Sequence, residues 1–281
     1  MRLVQTFVSA VVSALILTLA AGAHAQSAAK AGCATVVRIQ GEARYSAGDN
    51  VWHPLVLGLV MRPGNVIQTA PNSTVDLVLG DRLIGLIAPR NANLTPPNPV
   101  PPVALPIPTA KAQPAQNAIR LQGDTVMAID KLTIADTGVD AVSDTELDLR
   151  KGTIFGNVKK LSASSQYLIK TPNGIAGVRG TAFSMTVDPA TLAAIVQVLS
   201  GSMVVSESVN GQMIVETVNS GKALNALGQV ITLSPQIIED LQINTTFTVT
   251  LADGLITLAN DQTVVYVSPT FVRTAPPPPD D

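Results

Sequence analysis

Hydrophobic and polar residues alternate with a period of two along most of the chain. From Val37 to Tyr45, apolar residues and glycine take the odd positions and polar or charged residues take the even ones. Successive side chains of a strand point to opposite faces, so this alternation predicts a half-buried strand. The same pattern recurs in short runs marked by Val75, Leu77 and Leu79, by Leu147 and Leu149, and by Phe183, Met185 and Val187.

Short, closely spaced strands with turn residues between them predict an all-β fold, either a β-solenoid-like stack or a two-sheet sandwich. Asn210-Gly211 separates two alternating runs and supplies the positive φ angles of a type I′ hairpin turn. Asp253-Gly254 predicts a second hairpin. At most one short helix is expected, where Ser234 can serve as N-cap and Pro235 can occupy the first turn.

The first 25 residues are typical of an export signal. Arg2 provides the positive start, Phe7 to Ala21 is largely apolar, and Ala23-His24-Ala25 has the small-x-small form that signal peptidases accept. The apolar run of about 15 residues is short for a membrane span, which needs roughly 20. We expect cleavage after Ala25, no stable span in the mature chain, and a location in the periplasm, at the cell surface or outside the cell. An uncleaved anchor is the alternative.

Proline marks the boundaries of the expected domains. Proline cannot donate a ladder hydrogen bond, so the proline-rich stretch 82–116 is expected to be an insertion that leaves the sheet. It interrupts a β domain predicted at 34–233. A β-rich extension at 234–272 and a disordered proline-rich tail at 273–281 follow.

Composition narrows the functional classes. The net charge is -2 and only 14% of residues are charged, so a basic surface for nucleic acid is not expected. The single Cys33 cannot form a disulfide within the chain. His53 is the only histidine left after the expected cleavage, and no nucleophile elbow or pair of metal-binding histidines is present. We therefore predict no catalysis, no cofactor and no metal.

One cluster of acidic residues is a candidate metal site. Asp144, Glu146 and Asp148 alternate with apolar or neutral residues and should share one face of a strand. Several carboxylates together can bind calcium, but the known calcium-loop patterns are missing. A solvated sheet face is the preferred interpretation.

Three stretches, in this order, resemble the FecR-type domain. The first comprises Gly41, Leu57-Gly58 and 64–79, with Asn65 where the family usually has Asp. The second is 147–158. The third and most specific is 170–183, which contains Thr171-Pro172-Asn173-Gly174 and Val178-Arg179-Gly180-Thr181. The resemblance covers about 34–233, apart from the proline-rich insertion.

The resemblance implies a role in the cell envelope. In signalling members the domain lies outside the inner membrane and senses a TonB-dependent outer-membrane transducer, and a transmembrane helix joins it to a cytoplasmic anti-sigma segment. Because nothing precedes the export signal, we expect an exported stand-alone member without that segment. It would be a non-catalytic binding or scaffold protein whose partner is an envelope or outer-membrane protein. The alternatives are a periplasmic sensor acting through a separate membrane regulator and, less favoured, a hydrolase.

The glycine-rich part of the third stretch is the candidate partner-binding region. Gly174, Gly177 and Gly180 recur every three residues without the context of a dinucleotide or phosphate loop, which favours tight backbone approach or bulges. Arg179 is either a structural arginine that needs a buried carboxylate or carbonyl, or a contact for a partner or anion. With Thr181, these residues are the predicted docking site, by strand addition or shape complementarity. The oligomeric state is left open.

The export signal gives a direct prediction. Cells that produce the full chain should yield a mature protein beginning at Gln26, measured by intact mass after separation of envelope and cytosol. Uncleaved chain in the cytosol would contradict the prediction.

Overall fold

A computed structural model describes residues 29–49, 51–80, 112–113, 117–136, 141–251, 254–258 and 264–265. Strands dominate these residues, so the all-β prediction is confirmed. The predicted signal peptide, most of the proline-rich insertion and the proline-rich tail lie outside the described residues. The domain boundaries stay predictions.

The strands and the helix of the described residues are as follows. They are β1 (Lys30–Ala31), β2 (Cys33–Gln40), β3 (Ala43–Ser46), β4 (Trp52–Pro54), β5 (Val60–Met61), β6 (Val66–Thr69), β7 (Thr74–Gly80), β8 (Ala112–Gln113), β9 (Asn117–Leu121), β10 (Val126–Asp136), β11 (Ala141–Asn157), β12 (Gln166–Thr171), β13 (Gly174–Val187), β14 (Ala194–Val209), β15 (Gln212–Asn219), β16 (Lys222–Leu224), β17 (Val230–Thr232), α1 (Pro235–Asn244), β18 (Phe247–Leu251), β19 (Gly254–Leu258) and β20 (Val264–Val265).

Most strands belong to one large sheet that folds around a single core. Its main path runs β17-β16-β14-β13-β12-β11-β10-β6-β3-β4, and β2, β5, β7 and β9 join as a branch. β11 links the parts because its first half pairs with β10 and β12 and its second half pairs with β9 and β13. Among the described pairings only β11–β12 is parallel.

The long strands change face in their middle. In β13 the core-facing residues have even numbers up to Val178 and odd numbers from Phe183 onward. In β14 they have even numbers up to Val198 and odd numbers from Met203 onward. One extra residue in each strand shifts the period of two, as at a β-bulge, and lets the strand pass from one part of the sheet to the next.

Two glycines produce this change. Gly180 has φ +63° and Gly201 has φ +79°, at the register shift between β13 and β14. A side chain at Gly201 would collide with the backbone of Gly180, so the strands approach here more closely than other residues permit. Gly152, at φ +92°, has the corresponding position in β11. We call the Gly180–Gly201 contact the glycine corner.

Local sequence signals are mostly confirmed. Asn210 (φ +51°) and Gly211 (φ +79°) join β14 to β15, and β18 pairs with β19 as the second predicted hairpin. Ser234 caps α1, and its Oγ accepts a 3.4 Å hydrogen bond from the backbone N–H of Ile237. Within the described residues, no helix is long and apolar enough to cross a bilayer.

The strand predicted from Val37 to Tyr45 is corrected. Gly41, at φ +78°, ends β2 and separates it from β3. β2 then pairs with β7, whereas β3 pairs with β4 and β6. Apolar residues occupy odd positions on both sides of Gly41, so the alternating pattern continues across the turn and gives no sign of it.

A buried ion pair joins the C-terminal segment to the sheet. Asp76 on β7 and Arg120 on β9 are register partners, with Nε–Oδ1 at 2.7 Å and Nη2–Oδ2 at 2.9 Å. Nη2 of Arg120 also donates to the carbonyl of Thr246 at 3.2 Å, and the guanidinium lies 5.3 Å from the ring centre of buried Phe247. Beside this contact, Leu241 of α1 packs against Phe155.

The glycine corner can be tested with two matched variants. Gly201→Ala and Gly211→Ala both place a side chain at φ +79°, but only position 201 lacks room for it. We expect Gly211→Ala to lower the free energy of unfolding by about 1–2 kcal/mol. Gly201→Ala should lose about 1–3 kcal/mol more because of the collision. Equal losses in urea unfolding would contradict the packing argument.

Candidate functional site

The outward-facing residues of β10 to β15 form one continuous surface, which we call the outer face. Hydrogen-bonded register places them in rows that cross several strands. One row is Glu146, Leu168, Gly177, Val204 and Thr217; the next is Asp148, Lys170, Ile175, Ser206 and Val215; a third is Arg179, Ser202 and Asn219. The rows run from a charged half on β10–β12 to an apolar half on β13–β15.

The charged half is a ladder of ion pairs. The predicted carboxylates do share one face, and each lies beside a basic side chain. The pairs are Asp144 with Lys131, Glu146 with Lys170 at 2.8 Å, and Asp148 with Arg150 at 2.8 Å. Hydrogen bonds with Asp144 and Glu146 raise the pKa values of Lys131 and Lys170, respectively. Basic side chains therefore occupy the places beside these carboxylates that a calcium ion would need under the calcium-site interpretation.

The apolar half exposes large hydrophobic side chains. Val204 is 47% exposed, and Met213 and Val215 on β15 are each 67% exposed. Leu168 and Ile175 lie half-buried beside them in the register rows. Contiguous exposed apolar residues on a sheet are typical of a surface that another molecule covers.

Arg179 lies at one corner of the apolar half and is exposed. It makes no hydrogen bond or ion pair with the residues that the structure describes. Its register partner is Ser202, which is small and leaves the guanidinium accessible. The expectation of a buried structural arginine is therefore wrong, and contact with a partner or an anion stays a prediction.

Of the other predicted site residues, one lies on the outer face and the others have roles in packing. Gly177 is on the outer face, where a side chain would have ordinary contacts of 3.9 Å with Leu168 and Val204, so it leaves a shallow notch. Gly180 belongs to the glycine corner. Thr181 is fully buried, and its Oγ1 donates to the carbonyl of Ser202 at 2.8 Å. The prediction that Thr181 contacts a partner is therefore wrong, because its side chain lies in the core.

Gly174 has a packing role that involves a buried carboxyl. A side chain at Gly174 would collide with Ser206 and Glu207 of β14. Glu207 is fully buried; its Oε2 accepts a 2.8 Å hydrogen bond from the N–H of Ala194, and its Oε1 has no hydrogen-bond partner among the residues that the structure describes. Burial raises the pKa of Glu207, since the charged form loses its hydration.

Sequence reasoning missed the apolar half of the outer face. Val204, Met213 and Val215 were not singled out, although the Asn210-Gly211 hairpin already fixed how β14 and β15 align. Val209 pairs with Gln212 beside that turn, and counting back along both strands places Val204 and Val215 on the same face. This signal was available in the sequence.

Comparison with known proteins identifies the domain. Residues 109–204 match the family model described as FecR protein, so this segment of the chain is FecR-like. The matched segment includes β9 to β13 and the first half of β14, and thus the glycine corner and Arg179. The first resembling stretch, 41–79, lies outside the match. No curated protein matches the chain.

Two solved structures show limited likeness. Both are crystal structures whose descriptions propose an anti-sigma factor from Parabacteroides distasonis ATCC 8503, at 2.50 Å and 1.65 Å resolution. They share 15% and 16% sequence identity with this chain, cover 46% and 49% of it, and have TM-scores of 0.31 and 0.33. The chain spans 58% and 64% of their lengths, which is less than two thirds.

Glu207 predicts a pH dependence of stability. With a native pKa raised above its ordinary value of 4.5, the folded state binds more protons than the unfolded state above pH 4.5. Stability should therefore decrease as the pH rises through the raised pKa. Glu207→Gln should remove that decrease and unfold at higher urea than the parent chain at neutral pH.

The matched control is Glu239→Gln, an exposed carboxyl on α1. It should leave the pH profile of the urea midpoint unchanged. A parent profile that is flat from pH 4.5 to pH 8, or identical profiles for the parent and Glu207→Gln, would contradict the prediction.

Proposed function

We propose that this protein is an exported, non-catalytic recognition protein of the cell envelope that binds a protein partner through the apolar half of its outer face. The observation that carries the proposal is the combination of Val204, Met213 and Val215, exposed side by side, with the accessible guanidinium of Arg179. The export signal and the FecR-type domain support a location outside the cytoplasm.

The physical basis of binding is burial of apolar surface around one directional contact. Fully covering an exposed Val or Met side chain contributes roughly 1.5–3 kcal/mol, and these residues are already partly covered. The Gly177 notch admits a small projection from the partner between Leu168 and Val204. Arg179 can hold a carboxylate with two parallel hydrogen bonds, which sets orientation. The partner therefore presents apolar side chains next to an Asp or Glu, as an envelope or outer-membrane protein can.

A sensor role is the second candidate, and the FecR match at 109–204 favours it. In that role the same face would bind an outer-membrane transducer, and the chain would act through a separate membrane regulator. Identification of the bound protein separates the two roles: a TonB-dependent receptor or a membrane regulator supports the sensor, and any other envelope protein supports the scaffold. A hydrolase is the least favoured alternative, and a screen on peptidoglycan and glycans with the mature chain tests it.

Site-specific photo-crosslinking tests the docking face in intact cells. A photoreactive amino acid at Val204 or at Val215 should give one discrete adduct with another protein, because both positions lie under the partner. The same group at Val56 or Ile243, which are 52% and 64% exposed elsewhere, should not give that adduct. Arg179→Ala should weaken the adduct at Val204 by roughly fivefold, the effect of about 1 kcal/mol from one charge-assisted contact.

Gly177→Ala provides a second variant that keeps the fold. Its methyl group has room and its backbone is not left-handed, so stability should be unchanged or rise by about 0.5 kcal/mol. The adduct should nevertheless weaken because the notch is filled. Equal adducts at all four positions, or none at Val204 and Val215 in a folded, exported chain, would overturn the proposal.

A further inference from the structure

A cleft of about 760 Å³ opens at the β4 end of the sheet path, on strands that do not belong to the apolar half of the outer face. It is formed by β3, β4 and β6 and by the turns that follow Gln40 and Ala70. Its volume lies within the range of small-molecule sites. Trp52, the only tryptophan of the chain, is on β4 at its wall and remains 39% exposed.

The wall of the cleft is held in place by a stacked arrangement. The guanidinium of Arg44 lies 4.6 Å from the ring centre of Trp52. Its Nε and Nη2 donate to Oε1 of Gln68 at 2.9 Å and 2.7 Å, across the β3–β6 register. Arg44 therefore contacts the side-chain amide of Gln68 and the ring of Trp52 at the same time. The guanidinium thus covers one face of the Trp52 ring, and residues of three strands hold the ring in place.

The lining also carries two carboxylates. Glu42 and Asp124 are both exposed, and neither side chain has a hydrogen bond or ion pair with the described residues. Asp124 has φ +60°, a conformation that Asp adopts more readily than most residues, in the turn between β9 and β10. Leu55 and Pro71 add apolar surface.

We infer that this cleft binds a saccharide, either neutral or bearing amino groups. Ring C–H faces need a flat apolar platform such as Trp52, and hydroxyl groups need acceptors such as free carboxylates. Two carboxylates against one guanidinium that is already hydrogen-bonded disfavour an anionic ligand. Amino groups of a hexosamine would gain ion pairs with Glu42 and Asp124. The site is separate from the outer face and does not depend on the proposed protein partner.

Fluorescence provides a direct test because Trp52 is the only tryptophan. The folded mature chain is titrated with three tetrasaccharides: a neutral N-acetylglucosamine oligomer, a cationic glucosamine oligomer and an anionic galacturonate oligomer. We expect saturable changes in emission with the first two and none with the third. Calorimetry on the same samples gives a readout that is independent of the ring.

Matched variants assign the contacts. Glu42→Gln keeps the side-chain shape, and Asp124→Asn keeps a residue that tolerates φ +60°. Each should weaken binding of the glucosamine oligomer by about fivefold, the upper effect of an exposed ion pair, and the N-acetylated oligomer less. Gln68→Ala should weaken both, since Arg44 loses its fixed position. Glu239→Gln and Val204→Lys, remote from the cleft, should leave binding unchanged.

Several results would overturn the inference. These are no saturable change with either favoured saccharide at millimolar concentration, tightest binding of the galacturonate oligomer, or saturation only by a proline-rich peptide. Loss of binding in Val204→Lys with retention in Glu42→Gln would also overturn it, since that result assigns the ligand to the outer face. A negative crosslinking experiment would not bear on saccharide binding in the cleft, so each proposal can be overturned without the other.

Discussion

The glycine corner determines which residues of this protein face solvent. β13 and β14 contribute to the core on both sides of Gly180 and Gly201, but with opposite parity. Without the extra residue in each strand, a continuous alternation would place Val204 in the core and Val205 in water. The corner thus lets one strand of alternating sequence contribute to the core and also expose Val204 on the outer face. The match to the FecR family covers this same corner.

The two proposed sites differ in how the sheet builds them. The outer face lies on long paired strands, and small residues such as Ser202, Ser206 and Gly177 lie among the large residues of its apolar half. The cleft lies at the end of the sheet path, where β4 is the last strand and turns bring Glu42 and Asp124 near the aromatic platform. An exposed sheet face is typical of a surface that binds a protein, and a cleft is typical of a site that binds a smaller ligand.

Sequence patterns predict the local features of this fold better than its long-range ones. The Asn210-Gly211 turn and the Ser234 cap depend on a few adjacent residues, so they could be read directly. The alternation Ala176-Gly177-Val178 also contained the answer for Arg179: once Val178 faces the core, Arg179 must face outward. The pairing of Asp76 with Arg120 joins positions 44 apart and left no local signal. For the same reason the cleft, assembled from β3, β4, β6 and the turn at Asp124, could not be predicted.

The Asp76–Arg120 pair connects the sheet to a segment far downstream in the chain. Its guanidinium is completed by the carbonyl of Thr246, 126 positions downstream, and by the ring of Phe247. Without this segment the guanidinium would keep its two hydrogen bonds to Asp76 but lose the Thr246 acceptor and the ring beside it. The sheet and the segment at Thr246 and Phe247 therefore stabilise each other, although they lie far apart along the chain.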